Sequence, residues 1–169
     1  MSKNTRYLAH AAIIAALYAV LTHLQNLLLP GSATWAIQMR LSEALCVLAF
    51  FTPAAIPGLT LGCLLFNITF AAALPLDFVI GSAATLIAAE GMWLTRKVTV
   101  KGYPLLGMLM PAIANAILVG WELTVYIGGG FFLNAVYVAI GEAVVLLVPG
   151  SLLYWAIKKR GLVSKLFTP

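Results

Sequence analysis

The sequence predicts an all-α integral membrane protein, a six-transmembrane-helix bundle with both termini cytoplasmic. Three observations carry this. The 169 residues are 63% apolar and only 9% charged, against about 45–50% and about 25% in soluble domains. Apolar stretches of spanning length recur from end to end. The basic residues are segregated, nine of the ten Lys and Arg lying in the two tails and one internal loop. The chain is too short for two such bundles, so residues 1–169 read as a single transmembrane domain.

The expected spans are 7–29, 37–51, 55–74, 76–95, 103–127 and 131–157. The first follows Lys3 and Arg6 like a signal sequence, but with more spans behind it the segment reads as a retained helix. It stops at Pro30-Gly31. The second is short and ends at Thr52-Pro53, and the fifth is followed by Gly128-Gly129-Gly130. A crossing helix needs about 20 residues, so the second span is marginal and has to start earlier, tilt or shelter among its neighbours. With six spans, Lys3, Arg6, Arg96, Lys97, Lys101, Lys158, Lys159, Arg160 and Lys165 share one side, and Arg40 alone lies on the other. The positive-inside rule makes the first side cytoplasmic. Five or seven spans would destroy the asymmetry. The net charge of +5 therefore reports topology and not nucleic acid. The halves show no repeat, which argues against an inverted-repeat carrier.

The five acidic residues are the exception to this apolar pattern. Glu43, Asp77, Glu90, Glu122 and Glu142 all lie within or beside the spans. A carboxylate at mid-helix costs about 2.5–3.5 kcal/mol on insertion scales and usually lines a cavity, pairs with a partner or handles a substrate. Arg40 and Glu43, three apart, can pair on one helix face, with Gln38 and Arg40 as further donors to a polar ligand. Asp77 opens the fourth span, where the helix dipole favours it. Gly81 and Thr85 extend that face as a narrow polar strip. Asn115 and Glu122 share a face of the fifth span, and Asn134, Gly141 and Glu142 one of the sixth. Glu142 falls near the midplane with no Lys or Arg at its depth, so it is either protonated or supplied with donors by a ligand. Glu90, six residues before Arg96, suits snorkelling and local pairing.

Small residues recur at four-residue spacing. Ala12 and Ala16, with the parallel row Ala11, Ala15 and Ala19, lie in the first span, and Gly58 and Gly62 in the third. This spacing permits close helix packing, either inside the bundle or against another membrane protein. Trp35, Trp93, Trp121 and Trp155 sit near span ends and suit an aromatic belt, although Trp35 and Trp121 could stack on a flat ligand. Cys46 and Cys63 match no metal or redox spacing and read as packing residues. Asn67-Ile68-Thr69 is a glycosylation sequon placed inside a span, and it is discounted. His10 and His23 form no ligand pair. No phosphate loop, zinc-protease motif or nucleophile elbow is present, so no catalytic residues, cofactor or metal site are expected.

Gln38, Arg40, Glu43, Asp77, Glu122, Asn115 and Glu142 thus fall in the outer half or at the midplane, an acceptor-rich pocket open to the outside. A flat ligand rich in N–H donors fits it, such as a guanine-like base, whose ring N–H and exocyclic amine can both donate to one carboxylate.

Residues 6–142 resemble a known family. The carriers of the likeness are Gln38-x-Arg40-Leu-Ser-Glu43-Ala-Leu, the following Phe-Phe-Thr-Pro53-Ala-Ala-Ile-Pro57-Gly58-Leu, Gly62-Cys-Leu-Leu-x-Asn67, Leu76-Asp77-x-x-x-Gly81-Ser-x-x-Thr85-Leu, and Gly141-Glu142. They look like the queuosine-precursor transporters, S components of energy-coupling factor (ECF) transporters. The resemblance implies a plasma-membrane bundle that captures 7-deazaguanine precursors of queuosine from outside. It also implies a membrane-embedded coupling subunit and two cytoplasmic ATPases. The coupling subunit would dock on an Ala-x-x-x-Ala face of the first helix, matched by Ala12 and Ala16, with the Ala11 row as a second match. Transport would involve the bundle toppling in the membrane. The residues expected to bind substrate are Gln38, Arg40, Glu43, Asp77, Gly81, Thr85, Asn115, Trp121, Glu122, Asn134 and Glu142. The competing readings are an S component for another vitamin-like molecule, a self-sufficient proton-coupled secondary carrier, and an intramembrane enzyme acting on a lipid-like substrate. The last lacks a nucleophile–base set.

Overall fold

A computed structural model describes residues 2–32, 39–70 and 73–162. Gln38 and Trp35 lie outside these. The order of elements is α1 (Lys3–Leu28), a 3-10 helix η1 (Leu41–Phe50), α2 (Ala55–Thr69), α3 (Asp77–Thr95), the short α4 (Leu105–Met108), α5 (Met110–Tyr126), α6 (Phe131–Val145), a π-helical turn (Leu146–Gly150) and α7 (Ser151–Lys159). Among the described residues the fold is all-helical, with one isolated bridge between Val100 and Tyr103. Four helical stretches are long and apolar enough to cross a membrane: Lys3–Leu28, Asp77–Thr95, Leu105–Tyr126 and Phe131–Lys159.

The other two expected spans are shorter than the sequence suggests. The stretch expected at 37–51 is helical from Leu41 and is a 3-10 helix of 10 residues. At about 2.0 Å rise per residue it covers roughly 20 Å. Its buried positions repeat every third residue, Glu43, Cys46 and Ala49 on one row and Ala44, Val47 and Phe50 on the next. That is the eclipsed period of a 3-10 helix. The stretch expected at 55–74 is helical only to Thr69, where Phe70 turns extended (φ −93°, ψ 107°).

Small residues set the closest helix contact. A Cβ on Gly58 would lie 2.8 Å from the Ala11 carbonyl oxygen, and one on Gly62 would lie 2.7 Å from Tyr18 Cβ and 2.8 Å from the Ala15 carbonyl oxygen. The α2 glycines therefore pack against the Ala11–Ala15 row of α1, and both alanines are buried. The Ala11 row is thus taken up inside the bundle and cannot be a docking face. Ala12 and Ala16 remain exposed on the other side of α1, beside exposed Ile13, Leu17 and Val20.

Between α5 and α6 the chain reverses through Gly128, Gly129 and Gly130, all with φ between 82° and 89°, a left-handed run that side chains disfavour. Asn134 Nδ2 closes this turn by donating to the Gly128 carbonyl (2.8 Å) and to Thr124 Oγ1 (3.0 Å). At the basic end, Tyr154 meets Phe50, Phe51, Tyr103 and Trp155. Tyr103 and Ser151 hydrogen-bond through their hydroxyls, and Lys158 Nζ donates to the Gly102 carbonyl at 3.2 Å. Glu90 is exposed, as snorkelling requires, but its expected local pairing is absent among the described contacts. Arg96 instead stacks 3.6 Å over the Trp93 ring and donates to the Trp93 carbonyl.

Gly62→Ala should lower the thermal midpoint in detergent, because overpacking a rigid contact costs about 1–3 kcal/mol. Ala12→Leu, on the exposed row, should leave it unchanged. Unfolding scans at one heating rate check both, and equal midpoints for Gly62→Ala and the parent would contradict the α1–α2 contact.

Candidate functional site

Arg40 occupies the N-cap of η1 and is buried. A cation is disfavoured at a helix N-terminus, and the guanidinium leaves it for Asp77 on the first turn of α3. Arg40 Nη2 and Asp77 Oδ2 are 3.3 Å apart. The Phe66 ring lies 5.7 Å from the guanidinium carbon, and Cys63 Sγ accepts a long contact of 3.9 Å from Nη1. The expected Arg40–Glu43 pair is therefore corrected: the ion pair among the described residues joins Arg40 to Asp77. One turn of 3-10 helix carries the Glu43 side chain away from the guanidinium and towards α1.

Glu43 is held by neutral groups. Its Oε1 accepts from the Tyr18 hydroxyl, and its Oε2 from the Cys46 thiol at 3.0 Å. The same face of α1 anchors the segment around it. The Thr22 hydroxyl sits 2.7 Å from Ser42 Oγ, and Gln25 Oε1 accepts from the Leu41 amide at 2.7 Å.

Asp77 is framed by α2. Asn67 Nδ2 donates to the Asp77 backbone carbonyl at 2.8 Å. A Cβ on Gly81 would lie 2.8 Å from Asn67 Nδ2 and 3.0 Å from Asp77 Oδ1, so glycine at this position makes room for both. Thr85 is buried beside Cys63 and donates to the Gly81 carbonyl at 2.9 Å. The burial of Asn67 agrees with discounting its sequon, and both cysteines are buried and free, as expected of packing residues.

Glu122 on α5 and Glu142 on α6 are different. Both are buried, at 0% and 2% relative exposure. Both oxygens of Glu122, Oε2 of Glu142 and Oδ1 of Asn67 have no hydrogen-bond partner among the described residues. Glu122 feels the charges of Asp77 and Arg40, and Glu142 those of Glu43 and Arg40. A buried carboxylate left this way is costly. Protonation or donors from a ligand would remove the cost. Arg40 is the one buried basic side chain among the described residues, against four buried carboxylates, so the centre has an excess of acceptors.

The remaining expected residues divide. Asn115 is buried on α5, with Nδ2 donating to the Pro111 carbonyl at 3.0 Å. Asn134 is buried on α6, with Nδ2 engaged in the α5–α6 turn. Trp121 is 50% exposed, because one step along a helix turns about 100° from buried Glu122. It therefore lies outside the buried part of the centre. Tyr18 and Asn67 were not anticipated as members of it. A tyrosine in mid-span of an apolar helix, and an asparagine one turn from its end, were the available signals.

A multi-pass helical membrane protein with a buried, partly unsatisfied polar centre has the construction of a membrane transport protein. The chain matches the family model described as QueT transporter over residues 8–159. It belongs to the QueT transporter family, the queuosine-precursor transporters that the sequence resembles. No curated protein and no solved structure matches it.

Arg40→Met should destabilise the protein by about 3–5 kcal/mol, since it leaves Asp77 buried without its counter-ion. Adding Asp77→Asn should restore part of this loss, whereas adding Glu43→Gln should not. Thermal midpoints of the two double variants decide, and rescue by Glu43→Gln would reinstate the pair expected from spacing.

Proposed function

We propose that this transporter is the substrate-binding membrane subunit of an ECF-type importer and takes up 7-deazaguanine precursors of queuosine from outside the cell. The observation that carries the reading is the pair of buried carboxylates, Glu122 and Glu142, whose oxygens lack donors. A guanine-like base brings what they lack. Its ring N–H and exocyclic amine donate in parallel to one carboxylate, and in this reading its carbonyl oxygen accepts from Asn115, Gln38 or Arg40. The proposed binding residues are Gln38, Arg40, Glu43, Asp77, Gly81, Thr85, Asn115, Trp121, Glu122, Asn134 and Glu142. Tyr18 and Asn67 position Glu43 and Asp77.

In this reading the chain is one domain that crosses the plasma membrane six times. The stretch from α6 to α7 is a single crossing, and η1 and α2 are short crossings sheltered by their neighbours. Both termini are cytoplasmic, in keeping with the basic residues Arg96, Lys97, Lys101, Lys158, Lys159 and Arg160 at the ends of α3 and α7. The exposed Ala12–Ala16 row of α1 is the docking face for a membrane-embedded coupling subunit, which works with two cytoplasmic ATPases. The chain does no chemistry on its ligand.

Glu122→Gln and Glu142→Gln should each weaken binding of an aminomethyl deazaguanine by about 10- to 100-fold, the range for a lost hydrogen bond to a charged group. Calorimetry on folded protein measures it, and unchanged affinity removes that residue from the site. Ala12→Leu with Ala16→Leu should prevent copurification of a coupling subunit while leaving ligand affinity intact. A complex that still copurifies moves the docking face elsewhere. The same carboxylates would serve a proton-coupled carrier, so reconstitution of the chain alone is decisive: proton-driven uptake without partners would overturn the S-component reading.

A further inference from the structure

Glu90 is the acidic side chain that the buried centre leaves out. It lies towards the far end of α3 from Asp77 and is exposed. Leu86, Ile87 and Leu94, its neighbours on the outward side of the helix, are exposed as well, so the carboxylate stands in an apolar row. It makes no ion pair among the described residues, where Arg40 and Asp77 form the ion pair. Trp93, one turn further on, carries the Arg96 guanidinium 3.6 Å over its ring, the pairing of indole and cation found at a membrane–water boundary. Glu90 therefore sits roughly 4.5 Å inside that level. Exposure permits snorkelling, but direction opposes it. Side chains tilt towards their helix N-terminus, which for α3 is the Asp77 end, away from the nearer boundary. A carboxylate leaning into hydrocarbon is costly unless a donor reaches it.

Two cations follow on the same side of the helix. Arg96 keeps helical backbone angles (φ −56°, ψ −23°), so Lys97, seven residues from Glu90, falls within about 20° of its row and roughly 10 Å along it. Lys97 is exposed. Trp93 lies between Glu90 and Arg96 around the helix, so stacking on its ring draws the guanidinium towards the same row. One guanidinium N–H goes to the Trp93 carbonyl, and the fork has four more. Neither Arg96 nor Lys97 has a carboxylate partner among the described residues. From the membrane interior outward, the face thus presents an apolar row, a lone carboxylate, an indole and two cations.

A phospholipid with a primary-ammonium headgroup matches this order. Its phosphate accepts from Lys97 and Arg96. Its ammonium, one ethylene unit from the phosphate ester, brings a positive charge and three N–H donors to Glu90. Its acyl chains run inward along Leu86 and Ile87. A choline headgroup carries the same charge but no N–H, and a glycerol headgroup carries no cation, so neither supplies what the carboxylate lacks. A basic partner helix would suit Glu90 but would meet the like charges of Arg96 and Lys97 beside it. The joint presence of one anion and two cations favours a zwitterion.

We propose that the outward face of α3 around Glu90 and Lys97 is a binding site for phosphatidylethanolamine, with the lipid ammonium on Glu90 and its phosphate on Lys97 and Arg96. The test is native mass spectrometry of the purified full chain in detergent, titrated with phosphatidylethanolamine, its N,N-dimethyl derivative, phosphatidylcholine and phosphatidylglycerol of the same acyl chains. The parent should bind phosphatidylethanolamine at least about tenfold tighter than phosphatidylcholine, the effect of one charge-assisted contact, with the dimethyl lipid between them. Glu90→Gln should bring phosphatidylethanolamine down to the phosphatidylcholine level and leave phosphatidylglycerol no weaker. Lys97→Gln should weaken all four lipids, since all carry the phosphate. Glu90 is exposed and Gln keeps its size, so the variant should retain the parent's thermal midpoint, which a scan verifies. Equal binding of phosphatidylethanolamine and phosphatidylcholine by the parent would overturn the proposal. So would a preference that survives Glu90→Gln, which would place the lipid elsewhere. Displacement of the lipid by an equal concentration of soluble phosphoethanolamine would also overturn it, because the acyl chains would then contribute nothing.

Discussion

The Arg40–Asp77 ion pair is the constraint around which the rest of the centre is arranged. Desolvating two charges consumes most of what their attraction returns, so such a pair adds little net stability, yet breaking it is expensive. Its effect is to fix position. It ties the start of η1 to the first turn of α3, with Phe66 and Asn67 of α2 on its flank. Gly81 has no side chain because Asn67 and Asp77 occupy the space one would need. Once Arg40 is committed to Asp77, Glu43 has to find its donors on α1 and on η1 itself, and Tyr18 and Cys46 supply them.

What remains after these commitments is an excess of acceptors on α5 and α6. The two halves of the centre therefore differ in kind. Side chains on α1, η1, α2 and α3 mostly satisfy one another. Glu122 and Glu142 are kept buried by apolar neighbours that offer them nothing to bond. Val119 and Leu123 flank Glu122 on α5, and Val138 and Val145 flank Glu142 on α6. Apolar walls with a few unsatisfied polar groups are the usual make-up of a small-molecule site.

The fold class was legible because composition and charge segregation are global properties that no local detail can hide. The same holds for the four long stretches, which were found to within a few residues. The second span was misjudged for a definable reason. Residues 41–50 are apolar at almost every position, so a period of 3.0 cannot be told from one of 3.6, and the 3-10 geometry leaves no mark on composition. The buried carboxylates were legible residue by residue, since an acidic side chain is conspicuous in an apolar helix. The pairing was not. Arg40 and Glu43 are close in sequence, whereas Asp77 comes to Arg40 only when α3 folds back beside η1. Likewise the bonds of the Asn134 amide to Gly128 and Thr124 follow only from the path of the glycine run. The two alanine rows of α1 were equivalent in sequence, and the glycines of α2 distinguish them.

The π-helical turn at Leu146–Gly150 has a bearing on how the last crossing can vary. Pro149 has no amide hydrogen to give, and the wider turn absorbs the defect with one extra residue. Upstream, the buried row runs through Val138, Glu142 and Val145; downstream it resumes at Gly150, Tyr154 and Ile157. The turn is thus a phase shifter. It lets the upper part of the helix hold Glu142 inward while the lower part points Tyr154 into the aromatic cluster and brings Lys158 to Gly102. Deleting one residue here would rotate everything beyond it by about 100°, leaving the site intact but turning Tyr154 towards lipid. The length of this short segment is therefore less free to change than its amino acids are.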